Sequence, residues 1–203
     1  RAIFRIARHR NNKSTFHALQ ILTYAGLRLT ACASLRRADI HRVEVQTSGA
    51  SAPSTKQCTY FLRVRKGKGG KTRKIYLKAT IGKSLYDYAQ TVKSVWLFPG
   101  LKPGQHLTPN AIWSRIKTLA KRIGKPEVSP HWFRHFFATN ALQNGAPLVA
   151  VSKAMGHSSV NVTSLYLHEK EGTSVSSFID LISSSADDET AISVNYPAKN
   201  VKK

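Results

Sequence analysis

Residues 129–166 constrain the fold more than any other part of the chain, because they combine several short helix signals with most of the reactive side chains. Ser129 and Pro130 are typical of the cap and first residue of a helix, and Asn144-Gly145 is typical of its end. Between these positions, the apolar residues at helical spacing are Phe133, Phe136, Phe137 and Ala141. The pattern predicts a helix that turns one face towards a core.

Two further short helices are predicted after this one. Pro147 opens the first and Gly156 ends it. Its predicted buried face consists of Leu148, Val151 and Met155. Ser158 can cap the second helix. On that helix, the residues expected to lie close together are Val162, Leu165 and Tyr166.

The short turns are expected to gather the reactive side chains of this region, which are His131, Arg134, His135, His157 and Tyr166. His131 and Arg134 are three residues apart, so they should share one side of the first helical turn. The positive end of the helix dipole at that turn favours an anionic ligand. The set is typical of an anion-binding site with a nucleophile of its own.

The order of these residues is similar to that of a known enzyme family. His-x-x-Arg-His, then Gly-His, then a tyrosine nine residues after that histidine resembles the C-terminal signature of the tyrosine recombinases, or integrases. These enzymes share their catalytic fold with type IB topoisomerases. The resemblance covers roughly Ser14 to His168, and it implies a mainly α fold with a small antiparallel β-sheet.

Two earlier motifs extend the resemblance. The segment GLRLTACASLRRADI, which begins at Gly26, resembles the first arginine motif of the family and selects Arg28. Ala31 stands where many members carry an acidic residue. The turn at residues 67–71 resembles the Gly-Lys-Gly hairpin of the family, whose lysine is catalytic. The match selects Lys68, and Lys66 and Lys71 are the alternative positions.

The chemistry of a phosphodiester gives roles to the cationic residues. Charge accumulates on its non-bridging oxygens, and a guanidinium stays charged and matches two phosphate oxygens. Arg28 and Arg134 are therefore predicted to hold the phosphate, with His157 as an additional donor.

Tyr166 is the predicted nucleophile, and its phenol needs a proton acceptor because its pKa lies near ~10. By analogy with the family, His131 is the predicted base. Lys68 is the predicted general acid that protonates the departing 5′ oxygen. The implied function is site-specific DNA recombination through a 3′-phosphotyrosyl intermediate, without metal or ATP. Two alternatives are a non-catalytic DNA-binding module of the same fold and relaxation of DNA like that of a type IB topoisomerase.

The remaining elements follow from periodicity and turn residues. Helices are predicted from Ser14 to Ala25, over 80–91, and from Thr108-Pro109 to about Ile123. Strands are predicted over 41–45 and 58–65, joined by a polar loop, and over 73–77. In the second strand, Tyr60, Leu62 and Val64 should share one face, and the residues of the other face are Phe61, Arg63 and Arg65.

The charge of the chain favours a polyanionic partner. Its 203 residues include 32 Lys and Arg against 10 Asp and Glu, a formal net charge of +22. Double-stranded DNA is the expected partner. An exposed basic face is predicted on the helix that follows Thr108, formed by Arg115, Lys117, Lys121 and Arg122. The predicted DNA contacts outside the catalytic set are Lys66, Lys71, Arg73, Arg115 and Lys121.

The remaining predictions concern organisation and surroundings. Residues 1–13 are expected to be a basic segment or linker remnant, 14–170 the catalytic domain, and 171–203 a C-terminal helix and flexible tail. In the resembled family a C-terminal helix often packs on the next protomer, so a homo-oligomer, a tetramer on DNA, is expected through 174–184, and packing within the same chain is the alternative. The separate N-terminal helical domain of such enzymes is missing, so a longer parent protein or a reduced relative is expected.

The cysteines and the motifs of the sequence also bear on the expected cellular compartment and cofactors. Cys32 and Cys58 lack metal-site spacing and fit a reducing cytosol. A cytoplasmic, DNA-associated protein encoded by a bacterium, an archaeon or a phage is expected. No HExxH motif, P-loop or carboxylate cluster is present in the sequence, and no metal or other cofactor is expected. No apolar run reaches the length of a membrane span.

Overall fold

The computed structural model describes residues 1–9, 12–49, 52–65 and 72–156. Its helices in chain order are α1 (Ala2–His9), α2 (Lys13–Tyr24), α3 (Leu29–Ala33), α4 (Ala79–Thr91), α5 (Pro109–Arg122), α6 (Pro130–Gln143) and α7 (Leu148–Met155). A short 3-10 helix, Arg37–Asp39, precedes the strands β1 (Ile40–Gly49), β2 (Ala52–Val64) and β3 (Arg73–Leu77). The predicted combination of many helices with a small antiparallel sheet is confirmed.

Helix α2 lies at the centre of the fold. Every residue from Thr15 to Tyr24 is buried, and the helix contacts α1, α3, α4, α5 and α6. Its start differs from the prediction, because Asn12 caps it and Ser14 lies inside the first turn. The Asn12 side chain accepts a hydrogen bond from the Thr15 backbone N–H at 3.1 Å, which satisfies one of the donors left free at a helix start.

Gly26 follows the C-cap of α2, at the position where the sequence predicted the helix to stop. Its φ of +59° lies in the left-handed region that favours glycine. A Cβ at this position would also overlap the ring of Phe137 in α6. The turn after α2 therefore packs directly against α6. Arg28, two residues later in the chain, is the first exposed residue after this contact.

The N-terminal residues form helix α1 and pack on α2. Ile3 and Ala7 are buried in the same core, and the rings of Phe4 and Phe16 meet edge to face with centroids 6.1 Å apart. The basic character predicted for this segment applies to its outer side, where Arg5 and Arg8 are exposed.

The three strands form one antiparallel sheet in the order β1-β2-β3. Tyr60, Leu62 and Val64 are buried as predicted, and Leu62 pairs with Ile40 on one side and Ile75 on the other. Most of the loop predicted between the first two strands is wrong, because pairing continues through Val45↔Gln57 to Thr47↔Thr55. Cross-strand hydrogen bonds between distant residues form this extension, and polar local composition does not reveal them.

The buried residues predicted for α5, α6 and α7 are confirmed with two exceptions. Ile112, Ile116 and Leu119 are buried in α5, and Thr108 caps it through the Ala111 N–H at 3.1 Å. In α6, Phe133, Phe137 and Ala141 are buried, whereas Phe136 is only partly buried because it stacks on Trp132 near the surface. In α7, Val151 and Met155 are buried, but the prediction for Leu148 is wrong, since it is 65% exposed.

Several predictions concern residues outside the described ranges. These are the turn at 66–71, the helix expected from Ser158, the C-terminal helix near 174–184 and the tail. Among the helices of the described ranges, none is long and apolar enough to cross a membrane.

Candidate active site

The structure describes three of the four arginine and histidine positions predicted for catalysis, together with Arg73. Arg28 lies immediately before α3, His131 lies in the first turn of α6, and Arg134 lies in the turn that follows. Arg73 is the first residue of β3. The other predicted site residues, which lie outside the described ranges, are Lys66, Lys68, Lys71, His157 and Tyr166.

Arg134 is buried, with 8% of its surface exposed. Its Nη1 donates a hydrogen bond to the Gly26 carbonyl oxygen, and its Nη2 donates to the Met155 carbonyl oxygen at 2.8 Å. One guanidinium thus joins the turn after α2 to the last turn of α7. Burial, and then the nearby charges of Arg28 and Arg73, lower the pKa of Arg134 to about 10, so the side chain is still cationic at neutral pH.

Arg28 reaches the same place from the other side. Its side chain is exposed, and its Nη1 donates to the Gly156 carbonyl oxygen at 3.2 Å. Met155 and Gly156 are consecutive residues, so the two guanidinium groups meet at neighbouring carbonyl oxygens. The structure therefore brings Arg28 and Arg134 together, as the sequence predicted, although Arg28 precedes α3 and Arg134 lies in α6.

Arg73 completes what we term the arginine cluster, formed by Arg28, Arg73 and Arg134. Its Nε donates to the Ala154 carbonyl oxygen at 3.1 Å, and its Nη2 donates to the Met155 carbonyl oxygen at 3.4 Å. Burial, and then the charge of Arg28, lower its pKa. Sequence reasoning placed Arg73 among the DNA contacts, and the alternation of β3 alone could not reveal that it reaches α7.

Gly156 allows the cluster to close around the end of α7. It caps the helix in the left-handed conformation, with φ +67° and ψ +48°, and a Cβ there would overlap the guanidinium of Arg73. Glycine is therefore required both by the backbone and by the close approach of the arginine. His157, the predicted histidine donor, is the next residue in the chain.

His131 and Arg134 differ in their surroundings. Both lie in the first turns of α6, but His131 is exposed whereas Arg134 is buried. His135 is also exposed. The structure therefore leaves His131 open to a ligand arriving from solvent, while Arg134 is held in place by carbonyl oxygens. The role of His131 as the base stays a prediction.

The basic residues predicted on α5 lie on one side of the helix, opposite its buried stripe. At 3.6 residues per turn all four fall within an arc of about 160°, and Arg115 and Lys117 are only partly exposed. Lys117 folds over the Trp113 ring, 5.7 Å from its centroid, and donates to the Pro126 carbonyl oxygen. Lys121 and Arg122 are exposed. The predicted basic face is therefore present, but only Lys121 and Arg122 are fully exposed on it.

Asp39 is a residue that sequence reasoning missed. It is 1% exposed and accepts hydrogen bonds from Arg65 Nε at 2.5 Å, Arg63 Nε at 3.4 Å and the Arg36 backbone N–H at 3.0 Å. It therefore holds the end of β2, immediately before the residues that contain Lys68. The sequence did contain a signal for this contact. Asp39 is one of only 10 acidic residues, and it directly precedes β1, the strand that pairs with the arginine-bearing β2.

Metal-binding side chains do not cluster in the part of the chain that the structure describes. No three His, Cys, Asp or Glu side chains within it are arranged so that they could hold a metal ion. The charged groups that meet near the candidate site are the arginine cluster.

The sequence matches a known protein family. The model of the phage integrase family matches residues 2–172. A tyrosine recombinase XerD of Rhizobium meliloti is 34% identical over 168 residues, which cover 78% of this chain and 49% of the relative. A tyrosine recombinase of Thermosipho africanus is 31% identical over 153 residues, which cover 74% of this chain and 48% of the relative. The chain thus spans about half the length of the curated relatives it matches.

Solved structures with the same fold include two recombinases. The XerH site-specific recombinase bound to its difH substrate in a pre-cleavage complex superposes with a TM-score of 0.55 and 26% identity, covering 80% of this chain and 43% of that one. The XerA recombinase gives a TM-score of 0.60 and covers 84% of this chain and 58% of that one. At 23% identity, the likeness to XerA concerns the fold alone.

Proposed function

Because the chain belongs to the phage integrase family, we propose that it is the strand-cleaving and strand-joining part of a site-specific tyrosine recombinase. In this proposal residues 14–170 form the catalytic domain. The reaction attacks a DNA phosphodiester, forms a 3′-phosphotyrosyl link and releases a 5′ hydroxyl. A second 5′ hydroxyl then attacks that link and restores the DNA backbone. One phosphodiester replaces another of similar energy, so the reaction needs no ATP.

The observation that carries the proposal is the meeting of Arg28 and Arg134 at the end of α7. Their guanidinium groups donate to the carbonyl oxygens of Gly156 and Met155, so both are fixed before a substrate arrives. In the reaction, negative charge grows on the non-bridging phosphate oxygens. Preorganised cations at that place stabilise this charge without having to reorganise, and removal of one such donor typically costs ~10²–10³ in rate.

The remaining roles belong to residues near the cluster in the sequence. Tyr166 supplies the attacking phenolic oxygen, and His131, exposed at the start of α6, receives its proton. His157, which follows Gly156, adds a donor to the phosphate. Lys68 protonates the departing 5′ oxygen. In this scheme each proton taken from the nucleophile is matched by one given to the leaving group.

Double-stranded DNA is the proposed substrate and partner. The net charge of +22 favours it, and the XerH structure is a complex with its difH substrate. Lys66, Lys71, Arg115 and Lys121 are the proposed contacts to the DNA backbone. A homo-oligomer, a tetramer on DNA, is proposed to form through 174–184, and the protein is proposed to act in the cytoplasm.

A nicked suicide substrate tests the proposal. Duplexes tiled across the DNA that flanks the gene carry a nick close to each candidate cleavage point, so that the short 5′-hydroxyl fragment diffuses away and the covalent adduct accumulates. The unaltered protein should form an adduct that denaturing gel electrophoresis detects, and Tyr166→Phe should form none. Tyr86→Phe makes the same chemical change elsewhere and should react normally. An equal adduct with Tyr166→Phe would refute the assignment of the nucleophile.

A non-catalytic DNA-binding module is the second candidate, and Ala31 is the observation that favours it. This position carries no acid to orient Arg28, which is held by the Gly156 carbonyl oxygen instead. The module would bind the same duplexes and form no adduct at any pH. A relaxing enzyme of the topoisomerase type would, in contrast, remove supercoils from plasmids that lack a specific site.

A further inference from the structure

Arg73 has contacts that the proposed reaction scheme does not use. It begins β3, and its side chain lies on the same face of the strand as the buried Ile75 and Leu77. Lys74, the next residue, is exposed on the opposite face and lies over the Phe61 ring, 5.3 Å from its centroid. The two neighbouring cations therefore have different surroundings, and only Arg73 reaches the end of α7.

The guanidinium of Arg73 bridges two successive carbonyl oxygens. Nε donates to Ala154 at 3.1 Å and Nη2 donates to Met155 at 3.4 Å. Arg134 donates to the same Met155 oxygen. The planar fork of arginine suits such a pair of acceptors, and an ammonium group on a flexible stem does not reproduce it. These carbonyl groups belong to the end of α7, where the helix dipole and the free acceptors favour cations.

We infer that Arg73 is a positioning residue, which fastens the start of β3 to the last turn of α7 and thereby fixes the carbonyl oxygens that hold Arg28 and Arg134. The inference rests on the proposed function, because its measured effect is on strand cleavage. It also gives Arg73 a different role from the direct DNA contact that the sequence suggested.

The connection joins two parts of the chain that carry proposed catalytic groups. Residues 66–71, which contain Lys68, are separated from β3 only by Thr72, and His157 follows Gly156 directly. At the other side of residues 66–71, Arg65 is held by the buried Asp39. Both sequence flanks of this segment thus end in an arginine with fixed partners, and the flank at Arg73 is the one tied to the arginine cluster.

The donor groups of Arg73 also argue against a primary role in binding DNA. Two of its donor nitrogens are used by carbonyl oxygens within the protein, and the side chain is only partly exposed. A cation that contacts a DNA phosphate contributes about one unit to the slope of log affinity against log salt. Arg73 should therefore contribute little to that slope, whereas a free surface cation would contribute fully.

The test compares Arg73→Lys and Arg73→Gln with Lys74→Gln in the full chain. Lys74→Gln removes one charge from the adjacent exposed position and leaves the α7 contacts in place. Single-turnover cleavage of a suicide substrate at saturating protein gives a rate constant and an amplitude separately. Titration at several salt concentrations gives the DNA affinity and its salt slope. Amide hydrogen exchange of α7 reports on the connection without DNA.

Both Arg73 variants should lower the rate constant by roughly 10- to 100-fold, since a misplacement of about 1 Å can cost ~10²-fold in rate. Their DNA affinity and salt slope should stay close to those of the unaltered protein, and α7 should exchange faster. Lys74→Gln should cleave at the normal rate. A purely structural role would lower the amplitude, as less protein folds, but leave the rate constant unchanged.

Two results would overturn the inference while the proposed function stands. One is a normal rate constant for Arg73→Lys, because charge alone would then be sufficient. The other is a salt slope lowered by about one unit in both Arg73→Gln and Lys74→Gln with normal cleavage at saturation, which would make Arg73 a DNA contact. Absence of any adduct with the unaltered protein would instead overturn the proposed function, and this inference with it.

Discussion

Arg28 and Arg134 donate hydrogen bonds to the carbonyl oxygens of two consecutive residues, Gly156 and Met155. Two cations this close repel each other, yet the end of a helix offers both unpaired carbonyl groups and partial negative charge. The protein thus uses the C-terminus of α7 to hold two guanidinium groups side by side. The arrangement depends on Gly156, whose left-handed backbone ends the helix at that point.

Replacing Arg134 should affect both the chemistry and the fold. Arg134→Gln removes a preorganised cation, so cleavage should fall by ~10²–10³. It also leaves the buried carbonyl groups of Gly26 and Met155 without this partner, which should cost about 1–3 kcal/mol of the free energy of unfolding. Single-turnover cleavage and urea denaturation measure the two effects. Arg122→Gln, at an exposed position of α5, should change neither, and normal cleavage by Arg134→Gln would contradict the proposed site.

Gly26→Ala should destabilise the fold both by backbone strain and by overlap with a neighbouring ring, and Gly104→Ala serves as the control for backbone strain alone. Gly26→Ala places a Cβ against the Phe137 ring at a φ of +59°, so backbone strain of about 1–2 kcal/mol adds to overpacking of about 1–3 kcal/mol. Gly104 has a φ of +76° and no atom within 4 Å of such a Cβ. Gly104→Ala should therefore show the backbone cost alone in urea denaturation. Equal losses in the two variants would show that Phe137 moves aside freely.

His17 should make stability depend on pH below neutrality. Its ring is buried, stacks on Tyr88 with centroids 4.1 Å apart and donates through Nδ1 to Gln20 Oε1 at 2.8 Å. Burial, aided by nearby Lys13 and opposed by the Gln20 hydrogen bond, lowers its pKa from 6.5 to about 4. The unfolded chain therefore binds the proton more readily, and stability present above pH 6.5 is lost as the pH falls towards 4.

The loss attributable to His17 should approach roughly 3 kcal/mol, at about 1.4 kcal/mol for each unit of pKa difference. Urea denaturation from pH 7.5 to 4 measures it as the difference between the unaltered protein and His17→Gln, because glutamine does not titrate. The variant should start less stable at pH 7.5, having lost the ring contact, and then show the flatter profile. Parallel profiles would mean that His17 is protonated in the folded protein.

Asp39 should stabilise the end of β2 through its two arginines. Asp39→Asn removes the charge beside Arg65 and Arg63, whose side chains are 42% and 37% exposed. Because water screens these arginines, the expected loss is about 1–2 kcal/mol, well below the 3–5 kcal/mol of a fully buried pair. A double-mutant cycle with Arg65→Gln measures the coupling. Strictly additive losses would show that the 2.5 Å contact with Arg65 contributes no interaction energy of its own.

Local signals in the sequence predicted most of the helical structure. Thr108-Pro109, Asn144-Gly145 and Gly156 each mark a helix boundary by their own backbone or capping chemistry, so their neighbours are sufficient to place them. Helical periodicity also identified the buried faces of α5 and α6. The predicted meeting of Arg28 and Arg134 came from the resemblance to the family, because no local pattern joins these two positions.

Features that depend on distant partners were harder to predict. The extension of β1 and β2 is made by pairs such as Thr47↔Thr55 within a segment of polar composition. Asp39 binds the arginines at the end of β2, and Arg73 binds carbonyl oxygens of α7. Both contacts exist only once these elements are packed together. In each case the stabilising contact is set by tertiary packing, which outweighs local propensity.

The crowding of positive charge at the end of α7 has a thermodynamic consequence for the protein without DNA. Burial, and then the nearby charge of Arg28, lower the pKa of Arg73 and Arg134, so these guanidinium groups repel one another. An anion that binds there relieves this repulsion, and binding to the folded state alone raises the apparent stability. The catalytic region should therefore be the part of the fold that gains most in rigidity when a phosphate group occupies it, and heat resistance should report on occupancy.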